Sequence, residues 1–478
     1  MADEDLRFLT ATEAAALIRR RALSPVTLTQ AILTAIEASQ PSLNAFATIT
    51  AEAALRDATA AEQAVMRGDT LGPLHGVPVH IKDQIDTAGI PTRHGSAIFA
   101  DNIPMRDDIT VTRLRAAGAI ILGKTTMSEF GHKGLTDSPA HGVTRNPWDL
   151  DRTPGGSSGG AAAAVAAGLG PLGLGTDGAG SVRIPAACCG LIGLKGTLGA
   201  VPWEAAADGF SNNVYAGPIS RSVADTALMF AIIAGPSARD PQSLRAHPFA
   251  PVAPHLAGTS LHGLRIGFIE KASNPKVQRE VLANTHASLA ALEARGAHIE
   301  PVTTPIDWIE YEGRVMYQAG FAISCAQYLP EWHNRMDPVL IAFMERGRAF
   351  TAHQLRDAQF ARTRLFRQIQ SLFDTYDILA TPTLTRTALP TSFDAAHDQI
   401  VIEGTTCGIT RQGWSSYQYP FNLTGYPAIT IPSGFADDGL PTGLQLIGPW
   451  THEPTLLHLA SALEADRPWA QHRPSGWG

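Results

Sequence analysis

From Gly155 to Ser181 the chain reads GGSSGGAAAAVAAGLGPLGLGTDGAGS, and Asp177 is the only charged residue in that run. Residues this small fit where backbones approach closely. GGAAAAVAAG predicts a helix made almost entirely of Gly and Ala, able to sit tight against a neighbouring backbone, with free N–H groups at its N-terminus. PLGLGTDG, directly after it, predicts a short strand. A helix lying on a sheet with no bulk between them points to an α/β fold.

The rest of the chain repeats that grammar. ATEAAALIRRRALS and PVTLTQAILTAIEASQ carry apolar residues at helical spacing, with Pro25 suited to a first helical turn. GVPVHIKD (Gly76 to Asp83) alternates as a strand, ITVTRLRAAGA reads as a helix closed by Gly118, and AIILG reads as a buried strand. Further strands are predicted at GLIGLKGT, LRIGFIE, DILATPT, AITIP and GLQLIG, and helices at RSVADTALMFAIIAG and Gln354 to Phe373. Such alternation implies a mixed β-sheet flanked by helices on both faces. The 478 residues could make about three domains by length alone. No linker or repeat divides them, however, so residues 1–478 are expected to form a single large domain. The loosest stretch, Gly235 to Gly258, is expected to be an ordered surface excursion.

Bulk properties exclude several partners. A net charge of -7 gives no basic footprint for nucleic acid. The start, MADEDLRFLT, is acidic and lacks an apolar run, and no stretch of about 18 apolar residues follows. The expectation is a cytoplasmic protein that does not enter membranes. Cys188, Cys189, Cys325 and Cys407 form no C-x-x-C pair, and the histidines form no H-E-x-x-H, so reduced core thiols and no metal are expected. No cofactor is implied either. GLGPLG and GLGTDG both satisfy G-x-G-x-x-G but lack the strand–helix context of a dinucleotide site, and GGSSGG lacks the Lys of a P-loop.

Two serine clusters remain. Gly156-Ser157-Ser158-Gly159-Gly160 matches the G-x-S-x-G nucleophile elbow, which would make Ser158 the nucleophile of an α/β-hydrolase-type esterase with a downstream His and acid. In DGAGS, successive backbone N–H groups of Gly178, Ala179, Gly180 and Ser181 can converge on one anion, as an oxyanion hole requires. Neither cluster contains a histidine to act as base.

GGSSGGAAAAVAAG, GTDGAGSVRIPAACCGLIGLKGT, GPISRSVADTA and NLTGYPAITIPSGF…GLPTGLQLIGP, together with the N-terminal LTATEAAALIRRRALSPVTLTQAIL, resemble the amidase signature family of serine hydrolases over nearly the whole chain. That resemblance implies a Ser-cisSer-Lys triad in place of Ser-His-Asp. Carried over by motif, Ser181 is the nucleophile, Ser157 the bridging serine and Lys82 the base. Gly178, Ala179 and Gly180 would frame the oxyanion hole. Ser158 is expected to hydrogen-bond beside the site, and Asp177 and Arg183 to hold the nucleophile loop by charge-assisted bonds. For Lys82 to act as a base its pKa must fall from about 10.4 to near 7, worth about 4 kcal/mol and supplied by burial, to which Val79 and Ile81 would contribute.

The implied activity is hydrolysis of a small linear amide through a Ser181 acyl-enzyme, with esters and carbamates as further substrates. The family also includes the A-type subunit of tRNA-dependent amidotransferases, which works with partner subunits on charged tRNA. Here SVRIPAACC and LKGTLGAVPWEAAADG replace that subunit's SIRQPA and KPTYGRVSR, favouring a free-standing enzyme, for which a homodimer is compatible. Ala179 is a further departure, since many members have Gly there, and its methyl fits if φ is negative. Phe130, Trp148, Trp203, Phe210, Tyr215, Trp308, Tyr311, Tyr317, Trp332, Trp414, Tyr417 and Tyr419 are candidate cleft walls, and as a set they favour an apolar acyl or aryl amide. His132 and Lys133 are expected at the surface.

Overall fold

The computed structural model describes residues 6–245 and 260–477. The excursion expected over Gly235 to Gly258 is therefore described only to residue 245, and its remainder lies outside the described residues.

One sheet of 11 strands organises the chain. In spatial order the strands are Phe46–Ile49, Ile120–Thr125, Pro78–Lys82, Leu172–Asp177, Tyr215–Ser220, Ile192–Lys195, Ala428–Phe435, Pro441–Ile447, Ile378–Pro382, Arg265–Phe268 and His298–Pro301. The sheet is mixed. Pro78–Lys82 pairs in parallel with both of its neighbours, whereas Leu172–Asp177 pairs antiparallel with Tyr215–Ser220, and the central strands continue antiparallel. Parallel pairing returns at the far edge.

Alternation along the strands sends side chains to opposite faces. A Cβ at Gly193 would lie 2.8 Å from Ala186 of the helix Arg183–Cys189, while the next residue, Leu194, is buried in the cluster that contains Phe230 of the helix Val223–Ile233. Helices thus cover both faces, as the sequence pattern predicts. A central strand covered on both faces is buried throughout, and all five residues of Pro78–Lys82 are buried, the polar His80 and Lys82 included.

The Gly/Ala helix, Gly159–Ala166, is buried at every position. A Cβ at Gly160 would sit 2.3 Å from Thr126 Oγ1 and 2.6 Å from Ala45 O. Any side chain there would force the helix start off the sheet.

Between His298–Pro301 and Ile378–Pro382 the chain leaves the sheet and forms three long helices, Glu310–Cys325, Pro338–Ala349 and Ala352–Leu372. The helix predicted from Gln354 is the last of these, opened by a Thr351/Gln354 capping box. The first two supply one wall of the cavity described next. All four cysteines are buried. Among the described residues no helix is long and apolar enough to cross a membrane.

Candidate active site

A cavity of about 750 Å³ opens where the Lys82 strand, the serine-cluster loops and the helical wall meet. Ser157, Thr176, Gly178, Ala179 and Ser181 lie on its floor side, and helices Glu310–Cys325 and Pro338–Ala349 face them with Tyr317, Phe321 and Phe343.

Lys82 ends its strand fully buried. Its Nζ lies 2.7 Å from Ser157 Oγ and 2.8 Å from Thr176 Oγ1. The Thr176 hydroxyl donates to Gln84 Oε1 at 2.7 Å, so towards Lys82 it accepts. An uncharged amine in that position gives one N–H to Thr176 and keeps its lone pair for the Ser157 hydroxyl. Burial pushes the Lys82 amine down to about 7, against the opposing pull of the Asp177 charge. Strand alternation puts Lys82 on the same face as His80, whose ring a Cβ at Gly173 would meet at 2.6 Å. Val79 and Ile81 are equally buried but point to the other face, so the desolvation they were expected to supply comes instead from the His80 side. Burial, with a smaller effect of Arg221, likewise takes the His80 imidazole down to about 3.

The Gly156–Ser157 peptide is cis. The next serine turns inward: Ser158 Oγ donates to Thr176 O at 3.1 Å and accepts from Thr176 N at 3.2 Å, and Ser158 N donates to Ser181 O at 3.2 Å. Ser158 is completely buried and stitches the two serine clusters together. A nucleophile elbow needs an exposed hydroxyl beside a histidine; this hydroxyl is occupied by the Thr176 backbone, so the esterase alternative built on Ser158 is set aside.

Asp177 closes the Leu172–Asp177 strand and anchors the loop after it. Its Oδ1 accepts from Gly180 N at 2.6 Å, Asn422 Nδ2 at 2.8 Å and Arg183 Nη2 at 3.0 Å. Its Oδ2 accepts from Arg183 Nε at 2.9 Å and from the amides of Val182 and Arg183 at 3.2 and 3.4 Å. Burial alone would raise this carboxyl, but the Arg183 guanidinium and these bonds hold it well below the usual carboxylate range. Arg183 continues to Gln445 Oε1 at 2.7 Å and Asn422 Oδ1 at 2.5 Å. Neither residue of the pair lines the cavity.

Ala179 does not take a positive φ, whereas Gly180 does, at 108°, so the methyl is accommodated and the left-handed position keeps its glycine. The Gly180 N–H, expected to face an oxyanion, is instead directed at Asp177. Gly178 O accepts from Tyr317 OH at 2.6 Å, which ties the loop to the helical wall.

Of the twelve aromatic candidates, Phe130, Tyr311, Tyr317, Trp414 and Tyr419 line the cavity; the other seven do not. Sequence reading missed Phe321, Phe343 and Phe350, which the helical wall contributes. His132 and Lys133 also line it, contrary to the surface placement expected. His132 is buried with Nδ1 2.8 Å from Glu129 O, and Lys133 Nζ lies 2.6 Å from both Asp137 and Asp337, so each is held by the fold. Thr176, Gln84 and Asn422 were not anticipated. Asn422 lay within the quoted NLTG stretch, but nothing local marks its partner.

Comparison with known proteins bears on the family and the fold. The family model described as "Amidase" matches residues 27–457. An acylamidase from Rhodococcus erythropolis is 39% identical over 482 residues, covering 99% of each chain. The A-type subunit of a glutamyl-tRNA(Gln) amidotransferase from Chloroflexus aggregans is 35% identical over 497 residues, covering 98% of this chain and 99% of the relative. Among solved structures, a bacterial aryl acylamidase of the amidase signature enzymes superposes with a TM-score of 0.90 at 29% identity, covering 97% of both chains.

Proposed function

The chain belongs to the amidase signature family and is an amidase of that family; from that premise we propose that it is a free-standing hydrolase of linear amides with Lys82, Ser157 and Ser181 as its catalytic triad. The observation that carries this reading is the buried Lys82 amine, 2.7 Å from Ser157 Oγ and lowered to about 7 by burial.

In the proposed reaction Ser181 Oγ attacks the amide carbonyl while its proton passes through the Ser157 hydroxyl to neutral Lys82. In this reading the amides of Gly178, Ala179 and Ser181 receive the oxyanion, while the Gly180 amide braces the loop by donating to Asp177. Collapse of the tetrahedral intermediate breaks the C–N bond, and the proton held by Lys82 returns through Ser157 to the departing amine. Water then attacks the acyl-Ser181 ester by the same relay, releasing the acid. The aromatic lining favours an apolar acyl or aryl group beside the scissile bond, in keeping with the names of the acylamidase relatives. Esters and carbamates share the carbonyl chemistry and belong in the same substrate panel. Residues 1–478 are taken as one such domain. The amidotransferase reading is the weaker one, since the motifs distinguishing that branch of the family are absent and its members stand at lower identity.

Peptide-mapped mass spectrometry after fluorophosphonate treatment is expected to find the label on Ser181; label on Ser158, or on neither serine, would overturn the assignment. Because the amine must be uncharged to take a proton, kcat/KM for an amide should rise with pH through about 7 and level off above it. A profile flat from pH 5.5 to 9, with the chemical step shown to be limiting, would remove Lys82 from the base role.

A further inference from the structure

The cavity contains a cation with no ion-pair partner among the described residues; Glu310, whose charge acts on it, is paired with Arg314. Arg411 lies in the short helix Thr410–Gly413 and lines the cavity. Its guanidinium carbon sits over the Tyr317 ring, 4.5 Å from the centroid, and 5.9 Å from the centroid of Tyr419. Its N–H groups make no hydrogen bond or ion pair with any described residue, and Nη1 is closed off from solvent with no partner. Of the other cations lining the cavity, Arg346 is exposed, whereas Lys133 and Arg314 are paired. Lys133 is paired with Asp137 and Asp337, and Arg314 lies 3.0 Å from Glu310. No Asp or Glu is among the described residues that line the cavity. A guanidinium held over an aromatic ring can still direct N–H groups outward in its own plane, the geometry that recognises a carboxylate by two parallel bonds. Tyr317 also fixes the position of this charge, because the same ring that Arg411 covers bonds Gly178 O through its hydroxyl.

We propose that Arg411 receives a carboxylate on the substrate, so that the preferred amide is an apolar or aryl amide bearing an acidic group. This rests on the amidase reading of the Ser181 side of the cavity. It gives the cavity two regions, an apolar wall and an anion acceptor at Arg411, and it supplies this half-buried guanidinium with an acceptor that the described residues do not provide.

Two matched substrate pairs test it. Hexanoyl p-nitroanilide and the mono-p-nitroanilide of adipic acid place the charge on the acyl half; acetanilide and 4-acetamidobenzoate place it on the amine half. The wild-type enzyme is expected to favour the charged member of one pair by about 10- to 100-fold in kcat/KM, mainly through KM. Arg411→Gln should collapse that ratio to about one, and Arg411→Lys should restore part of it. Preference for the neutral member in both pairs, or a preference unchanged by Arg411→Gln, would overturn the proposal. Calorimetric titration of 6-oxoheptanoate and 2-heptanone, ketones that the enzyme cannot hydrolyse, into the wild type reads the same contact without turnover or a variant: tighter binding of 6-oxoheptanoate is expected, and equal binding would count against the proposal. If neither pair is hydrolysed and Ser181 takes no fluorophosphonate, the amidase reading fails, while the titration still decides on Arg411.

Discussion

Replacing Lys82 with methionine, which fills the same volume without a base, is expected to lower kcat/KM for amide hydrolysis by roughly four orders of magnitude. The basis is positional. Lys82 Nζ is bonded to Ser157 Oγ and Thr176 Oγ1, and since Thr176 passes its own proton to Gln84, Ser157 is the one neighbour that can deliver a proton to the amine. Ser157→Ala interrupts the same relay, so it should cost a similar factor. The Lys82→Met/Ser157→Ala double variant should then be hardly worse than either single one, because groups that act as a unit give strongly non-additive losses. Steady-state kinetics of the three variants on one aryl amide at pH 8 would check this. Losses that multiplied in the double variant would mean that the two side chains act separately. Ser181→Ala should show the same ceiling and, unlike the others, lose the fluorophosphonate adduct completely.

Much of this arrangement is legible in the sequence, for physical reasons that can be named. The Lys82 strand is legible because its residues alternate, and Val79 and Ile81 are buried on one face while His80 and Lys82 take the other. The Gly/Ala helix is legible because only close backbone approach accounts for such a run, and Gly160 against Ala45 and Thr126 is that approach. What the sequence does not reveal is pairing across distance. Thr176 meets Lys82 from 94 residues away, Asn422 meets Asp177 across 245, and Gln445 meets Arg183 across 262. Polar residues carry no periodic signal by which a single chain could announce such partners. The helical wall was partly hidden for a similar reason. Phe321 and Phe343 sit on helices whose apolar positions serve both the core and the cavity, and periodicity alone does not separate the two uses. His132 and Lys133 look like surface residues until the fold brings Asp337 to them.

Asp177→Asn, nearly the same shape, is expected to destabilise the protein by about 3–5 kcal/mol. Both carboxylate oxygens accept three hydrogen bonds, so the new amide NH2 would face donors in either orientation: Arg183 Nε with the amides of Val182 and Arg183, or Gly180 N with Asn422 Nδ2 and Arg183 Nη2. Arg183, fully buried, would also lose its only ion-pair partner among the described residues. The pH dependence follows from the depressed native carboxyl. Its stabilisation is fully present above the unfolded-state value of about 3.9 and is lost as pH falls towards the lower folded-state value, where native and unfolded chains are both protonated. Urea unfolding at pH 7 should therefore show the full deficit, and the gap between wild type and variant should narrow progressively below about pH 4. A deficit under 1 kcal/mol at pH 7, or a gap that widens in acid, would mean that Asp177 does not anchor the loop. Amide hydrolysis should fall in step with stability, because the carboxylate that neutralises Arg183 also fixes the Gly180 amide, and with it the backbone that leads into Ser181.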